Sequence, residues 1–182
     1  MSRSDPNRPR KPLDPASLER LALRYVERYA TTRAKLAAYM RRKIAERGWD
    51  GEESPAIDPL VSRFAELGYV DDRGFAAARA ATLTRRGYGE RRVSVALKVA
   101  GISEEDAEPV RQDTRLAAHE AALAYARRKR IGLFAMDVGT DVPDRDKQRR
   151  ILAAMLRAGH PFEIARKIVE AGPGEELEFG ER

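Results

Sequence analysis

Four arginines, two glycines and a tyrosine occur in the stretch TRRGYGERR, residues 84–92. Arginine side chains bind phosphate and carboxylate oxygens through paired N–H donors, and closely spaced glycines allow a backbone to approach a phosphate. The stretch is therefore either a loop that binds an anion or a turn between two helices with solvated charges on each side. Phosphate-binding glycine loops follow a β-strand, and no strand pattern precedes Gly87. We predict a turn that ends one helix at Gly87 and begins the next near Gly89.

The other residues that could do chemistry are two adjacent carboxylates and two histidines. Asp71 and Asp72 are either metal ligands or acid–base groups, or they start a helix, with Asp71 as its N-cap and Asp72 in its first turn. We favour the helix start, because no third ligand lies nearby in the sequence. His119 and His160 have no partners at ligand spacing, and His160 follows a helix-ending glycine, where the helix dipole favours partial positive charge. We expect no catalytic residue, no metal and no cofactor.

The composition favours closely packed helices as the elements that position these residues. Apolar residues make up 42% of the 182 residues, aromatic residues only 7%, and there is no cysteine. Apolar residues recur at spacings of three and four, and no run alternates with the period of a strand, so we predict an all-α fold. The N-terminus lacks the apolar segment of a secretory signal, and no apolar run is long enough to cross a membrane, so we expect a cytoplasmic protein.

The helices fall into three similar rounds, each with a long first helix, a second helix that ends at a glycine and a short third helix. The closing glycines are Gly48, Gly101 and Gly159. A recurring unit of this kind indicates a tandem helical array of elongated shape, since each round has few apolar residues and must pack on its neighbour. The predicted divisions are a disordered basic tail at 1–14, three-helix modules at 15–70, 71–113 and 114–172, and an acidic tail at 173–182.

Local signals predict several helix ends. The first helix begins near Asp14 or Ser17, and the pair Thr31 and Thr32 offers a stop for it and an N-cap for the second. One long helix is predicted from about Thr114 to Arg130.

Basic residues are the part of the sequence that says most about function. The net charge is +6, and the charge is positive over 16–50, 73–101 and 114–130 but negative over 51–72 and 102–113. In each round, cations flank the connection between the first and second helices, and those that start the second helix oppose its dipole. If the modules stack in one sense, these connections form a basic stripe for an anionic partner. The predicted binding residues are Arg85, Arg86, Arg91 and Arg92 in the middle, supported by Arg33, Lys35, Arg42, Lys43, Arg128, Lys129, Arg149 and Arg150.

The succession of segments resembles the bacterial RecX regulatory proteins. The resemblance is carried by LALRYVERYATTRAKLAAYMRRKIAERG, FAELGYVDDRGFA, RRGYGERRVSVALKVAGI and ALAYARRK, and it covers most of the chain between Leu18 and Ala171. The junction ELGYVDDRGFA followed by GYGERRV is its most specific part, and no single motif is catalytic. The sequence departs from the family pattern in the Thr-Thr pair before Arg33 and in an extended loop from Gly132 to Asp144.

The resemblance implies an elongated, curved helical array without an active site. It implies a protein that binds the filament of the RecA recombinase on single-stranded DNA and inhibits its ATPase, filament extension and strand exchange. We expect a monomer whose partner is RecA, or also DNA directly, and no membrane partner. The main alternative is a helical DNA-binding regulator that acts without RecA, although a base-reading helix needs Asn, Gln or Arg facing the bases and the second helices have mostly apolar middles. A third interpretation is a scaffold for another acidic protein.

Overall fold

The computed structural model describes residues 11–135 and 145–172, together with Glu175 and Leu177. These residues contain nine α-helices, one 3-10 helix and no β-strand, which confirms the predicted all-α fold. The chain divides into two compact units, Met1–Phe75 and Ala76–Arg182. Most of the predicted loop at 132–144 and of the predicted acidic tail lies outside the described residues. The tandem, elongated arrangement stays a prediction.

The helices follow one another through short connections wherever the chain is described. The first unit contains α1 to α3 and the beginning of α4, and the second contains the rest of α4 and α5 to α9. The three predicted closing glycines, Gly48, Gly101 and Gly159, follow α2, α5 and α8 and all have positive φ, so these helix ends are confirmed. The bounds are α1 Pro15–Arg28, α2 Arg33–Arg47, α3 Ile57–Glu66, α4 Asp72–Arg85, α5 Glu90–Val99, α6 Glu104–Leu116, α7 Ala118–Lys129, α8 Arg145–Arg157 and α9 Phe162–Glu170, with the 3-10 helix at Gly132–Phe134.

Side-chain caps start the first two helices. The Oδ1 of Asp14 accepts a hydrogen bond from the amide of Ser17 at 2.7 Å, and the Ser17 hydroxyl accepts one from the Asp14 amide at 2.9 Å. The bonds from Ser17, first of all the one from its amide, lower the pKa of the Asp14 carboxyl. At the start of α2 the hydroxyl of Thr32 accepts a bond from the amide of Lys35 at 3.2 Å. The predicted start near Asp14 or Ser17 is therefore confirmed, and of the predicted pair Thr31 and Thr32 it is Thr32 that caps α2.

Leu13 belongs to the core of the first unit. Its side chain is fully buried among residues of α1, α2 and α3. Its amide donates to the carbonyl of Gly48 at 3.0 Å, and its carbonyl accepts from the amide of Asp50 at 2.8 Å. The prediction of a disordered tail over 1–14 is wrong for Leu13, because an apolar side chain and two backbone bonds attach it to the segment after α2. Residues 1–10 lie outside the described part of the chain.

The aspartate pair joins the start of α4 to the start of α2. The Oδ1 of Asp71 accepts from the amide of Gly74 at 2.9 Å, so Asp71 caps α4 as predicted. Asp72 is buried, and its Oδ1 accepts from the amide of Arg33 at 2.9 Å. A carboxylate therefore lies at the N-terminus of α2, where the helix dipole stabilises negative charge. This second cap comes from far along the sequence and was not predicted.

Two helix pairs organise the second unit. α5 packs with α6, α8 packs with α9, and α7 contacts α9 and the 3-10 helix. Tyr125, Met155 and Ile168 are buried in the core that α7, α8 and α9 share. None of the helices in the described ranges is long and apolar enough to cross a lipid bilayer.

The predicted long helix from Thr114 to Arg130 is wrong. α6 continues to Leu116, and α7 begins only at Ala118. Ala117 lies between them with φ −85° and ψ 12°, outside the regular helical conformation. Nothing in the residue types at this point explains the break.

Candidate functional site

The stretch TRRGYGERR forms a tight turn between α4 and α5, and we call Gly87–Gly89 the Tyr88 turn. Gly87 has φ +75°, and Gly89 is the N-cap of α5. The amide of Gly87 donates to the carbonyl of Thr84 at 2.7 Å, and the amide of Tyr88 donates to that of Leu83 at 3.0 Å. The predicted turn is therefore confirmed.

Backbone amides of the Tyr88 turn and of the first turn of α5 bind carbonyls of the residues that follow α8. The amide of Gly89 donates to the carbonyl of Ala158 at 2.9 Å, and the amide of Arg91 donates to that of Gly159 at 3.4 Å. A Cβ atom on Gly87 would lie 2.5 Å from the amide nitrogen of Tyr125. The two glycines therefore allow close packing against α7 and α8. Amides that a phosphate-binding loop would offer to its ligand already have protein acceptors here.

His160 lies beneath the Tyr88 turn and is fully buried. Its Nε2–H donates to the carbonyl of Gly87 at 3.0 Å, and its ring meets the ring of Tyr125 edge-on, with 5.4 Å between centroids. Because a carbonyl only accepts, the proton is on Nε2. Burial lowers the pKa of His160 more than the bond to Gly87 raises it, so the neutral ring is favoured. Burial of the ring thus opposes the positive charge that the C-terminal end of α8 favours.

Two guanidinium groups lie against the ring of Tyr88. The Cζ of Arg92 is 5.9 Å from the ring centroid and that of Arg128 is 5.4 Å from it. Arg128 is fixed further by the ring of Tyr125, 5.4 Å away, and by a hydrogen bond from its Nη1 to the carbonyl of Arg86. Contact with a ring face orients a guanidinium while leaving edge N–H groups available to a ligand. We call Tyr88, Arg92 and Arg128 the Tyr88 cluster.

The arginines around the turn have no acidic partner in the part of the chain that the structure describes. Within the described ranges, no carboxylate forms an ion pair with the five exposed arginines of this surface, which are Arg85, Arg86, Arg91, Arg92 and Arg128. In the same unit, Arg111 is hydrogen-bonded to the carboxylates of Glu104 and Glu108, and these bonds raise its pKa. The second unit therefore pairs some of its arginines with carboxylates, as it does Arg111, and leaves these five available to an external anion. We call these five residues the arginine surface.

Three predicted binding residues of the first unit, Lys35, Arg42 and Lys43, have side-chain partners within that unit. The Nζ of Lys43 lies 2.5 Å from one carboxylate oxygen of Glu46, and the Nε of Arg42 lies 3.5 Å from the other. The Nζ of Lys35 lies 4.7 Å from the centroid of the Phe75 ring. Ion pairing lowers the attraction that these side chains exert on an external anion.

The remaining predicted binding residues are exposed and lie on other elements. Arg33 starts α2, Lys129 ends α7, and Arg149 and Arg150 are in α8. Arg149 Nη1 is 3.7 Å from Asp146 Oδ1. Among the described residues of the second unit, no hydrogen bond or ring contact joins Lys129, Arg149 or Arg150 to the Tyr88 cluster. Of the eight predicted binding residues in the second unit, contacts around Tyr88 connect Arg86, Arg92 and Arg128, and Arg85 and Arg91 adjoin Arg86 and Arg92 in the chain.

Sequence reasoning gave Tyr88 no role at this surface. The only signal was its position between two glycines with arginines on both sides. No group of three or more His, Asp or Glu side chains in the described ranges is placed to hold a metal ion.

Comparisons with known proteins give one consistent result. No family model matches the sequence. The chain is 34% identical over 178 residues to the regulatory protein RecX of Myxococcus xanthus, covering 92% of this chain and 91% of that protein. It is 36% identical over 109 residues to the regulatory protein RecX of Thermus thermophilus, covering 60% of this chain and 71% of that protein.

Solved structures with the same fold bear the same name. The crystal structure of RecX from Lactobacillus salivarius matches with a TM-score of 0.61 and 18% identity, covering 85% of this chain and 94% of that one. A second crystal structure of regulatory protein RecX matches with a TM-score of 0.57 and 19% identity, covering 84% of this chain and 72% of that one. At these identities the structural matches show the fold, which is all-α.

Proposed function

The chain belongs to the RecX family of regulatory proteins, and on that premise we propose that it binds the RecA filament in the cytoplasm and inhibits it. The proposed effects are lower ATP hydrolysis, slower filament extension and less strand exchange. The protein acts by binding, without chemistry of its own. The family resemblance supports RecA as the partner. The structure supports the arginine surface as the part of the chain that makes the contact.

The observation that carries the proposal is the arginine surface. Its side chains come from the end of α4, the residue before the Tyr88 turn, the start of α5 and the end of α7. Cations without acidic partners keep their full attraction for anions, and packing of the turn on α7 and α8 holds the backbone that carries them. A nucleoprotein filament offers both phosphate and carboxylate groups as the complementary anions.

Inhibition follows from binding that spans neighbouring subunits. Contacts from separate parts of one chain act together, because the first contact raises the effective concentration of the others. A chain bound across successive filament subunits opposes the rearrangement between them that each round of ATP hydrolysis requires. The predicted binding residues outside the arginine surface then supply weaker, additional contacts.

The test removes the charge of four arginines while keeping their polarity. In the variant Arg85→Gln, Arg86→Gln, Arg91→Gln and Arg92→Gln, we expect the concentration needed for half-inhibition of the RecA ATPase to rise about tenfold or more. All four side chains are exposed, so circular dichroism should show an unchanged helical fold.

A matched control loses the same net charge at arginines that already have acidic partners. Arg41, Arg63, Arg115 and Arg166 form ion pairs with Asp58, Glu19, Glu108 and Glu163. Changing these four arginines to Gln should alter inhibition by less than about threefold. If the two variants inhibit equally, the arginine surface is not the contact. If the wild-type protein neither binds nor inhibits RecA filaments, the proposed function is wrong.

The second candidate function is DNA binding without RecA, and the Tyr88 cluster is the observation that favours it. An aromatic ring flanked by guanidiniums can stack on a base while the cations bind phosphates. Fluorescence anisotropy with single-stranded and duplex DNA in the absence of RecA tests it. Tight, sequence-dependent duplex binding would support this candidate, and its absence, with inhibition intact, would leave the RecA proposal.

A further inference from the structure

The outward face of α5 combines cations with exposed valines. Val93, Leu97 and Ala100 are buried on one side of this helical segment. Five exposed residues occupy the other side within an arc of about 120°, given 100° per residue. We call these residues the α5 face; they are Arg91, Arg92, Val95, Lys98 and Val99.

The two valines are unusual members of such a face. Val95 is 55% exposed and Val99 is 80% exposed, one helical turn apart. β-Branched residues on a solvent face do not improve helix stability, since alanine and longer charged side chains have higher helix propensity. Neither packing in the core nor formation of the helix therefore accounts for them.

The combination of three cations with two exposed valines on the α5 face fits a protein partner better than a nucleic acid. Phosphate groups attract the three cations but gain nothing from two aliphatic side chains. An acidic protein surface with an apolar centre complements both the cations and the valines. The valines are buried in the middle of the contact, and the arginines pair with carboxylates at its edge. Arg91 and Arg92 have no carboxylate partner in the described ranges, so this charge remains for such a partner.

We propose that the α5 face is a protein-docking surface whose partner presents an acidic surface around an apolar patch. This inference rests on the proposed function. It assigns Arg91 and Arg92, which belong to both the arginine surface and the α5 face, to a contact with RecA protein of the filament. Arg92 belongs to both the Tyr88 cluster and the α5 face, so the two features are continuous.

The test truncates the valines in the full-length protein. We expect Val95→Ala with Val99→Ala to weaken binding to RecA filaments about tenfold, measured by co-sedimentation with filaments formed on single-stranded DNA with a non-hydrolysable ATP analogue. Binding to the same DNA without RecA should not change. The thermal midpoint should be unchanged or slightly higher, because alanine has the higher helix propensity.

Leu116→Ala is the matched control, because Leu116 is 79% exposed at the end of α6 and lies outside the α5 face. It should leave filament binding unchanged. The inference is overturned if the valine variant binds filaments as well as wild type while the four-arginine variant does not, and then the proposed function survives. It is also overturned if Leu116→Ala weakens binding equally or if the valine variant loses DNA binding. If wild type does not bind filaments, the proposed function fails, and this inference fails with it.

Discussion

The connections before α2 and before α5 look equivalent in the sequence, with cations at the start of the second helix, but they differ in the structure. Before α2, the buried carboxylate of Asp72 binds the amide of Arg33, and Lys35 lies on the Phe75 ring. Before α5, Gly89 caps the helix without a side chain, and Arg91 and Arg92 have no acidic partner among the described residues.

The difference shows that cations at a helix N-terminus can serve different roles in different parts of the chain. In the first unit a carboxylate from distant sequence offsets the cost of positive charge near the dipole. In the second unit Glu90 is the acidic residue in the first turn of α5, and its carboxylate accepts a bond from the hydroxyl of Ser94. We infer that the first connection mainly serves stability and the second mainly serves binding.

The largest expected effect concerns the packing of the Tyr88 turn. Gly87→Ala should lower the free energy of unfolding by about 3 kcal/mol, because it combines strain at positive φ with a clash against the backbone of Tyr125. Gly68 has nearly the same φ, +76°, and open space around a Cβ. Gly68→Ala should therefore cost only about 1 kcal/mol. Urea unfolding followed by circular dichroism measures both, and equal losses would show that the close approach of the turn has no energetic role.

The next effect tests the stabilising role of the first connection. Asp72→Ala should lower the free energy of unfolding by about 1–2 kcal/mol, because the amide of Arg33 loses its acceptor in a buried place. Asp72→Asn keeps an oxygen acceptor and should cost less than half as much. A larger loss for Asn than for Ala would contradict capping. Neither change should weaken binding to RecA filaments beyond what the lost stability explains.

The thermal midpoint should depend on pH by a few degrees, because His160 is buried beneath the second connection. The folded state lowers the pKa of His160 from the reference value of 6.5, so below about pH 6.5 the unfolded chain takes up a proton that the folded chain resists. Stability is therefore highest above that pH, and the thermal midpoint should fall by about 2–4 °C as the pH is lowered from 8 to 5.5. His160→Gln keeps a donor and does not titrate, so its midpoint should depend less on pH. Equal slopes for the two proteins would exclude His160 as the cause.

The smallest effect is expected from paired cations of the first unit. Arg42→Gln with Lys43→Gln removes side chains that share Glu46, and exposed pairs of this kind contribute little to stability. The thermal midpoint should change by less than about 2 °C, and filament binding should change by less than about twofold. Binding reduced as strongly as in the four-arginine variant would remove the functional difference between the two connections.

Helices and their local ends were predictable because the signals are short-range. Asp14 and Thr32 act as caps through bonds to residues three positions later, and the closing glycines adopt the positive φ that other residues disfavour. The burial of Leu13 and the break at Ala117 were missed. The burial of Leu13 depends on backbone bonds to the segment after α2, and the break at Ala117 has no local signal in the sequence.

The candidate site was predictable only in part. The arginines of TRRGYGERR stand out by composition, and the turn follows from its glycines. The pairing of Arg42 and Lys43 with Glu46 is local to α2, whereas the neighbours of the arginines beside the Tyr88 turn depend on packing, since Arg128 reaches the carbonyl of Arg86 from 42 residues away. The role of Tyr88 depends on Arg128, which α7 brings to the same ring.

The sequence by itself determined an all-helical chain, the positions of most helix ends, a turn at 87–89 and an excess of arginine around that turn. These properties follow from backbone conformations and bonds within a few residues. The tertiary structure alone decided that the amide of Gly89 binds the carbonyl of Ala158 after α8, that His160 is buried with a lowered pKa, and that the five arginines of the arginine surface have no acidic partner in the described part of the chain. Those properties depend on which distant groups share a surface, because burial and ion pairing are set by packing.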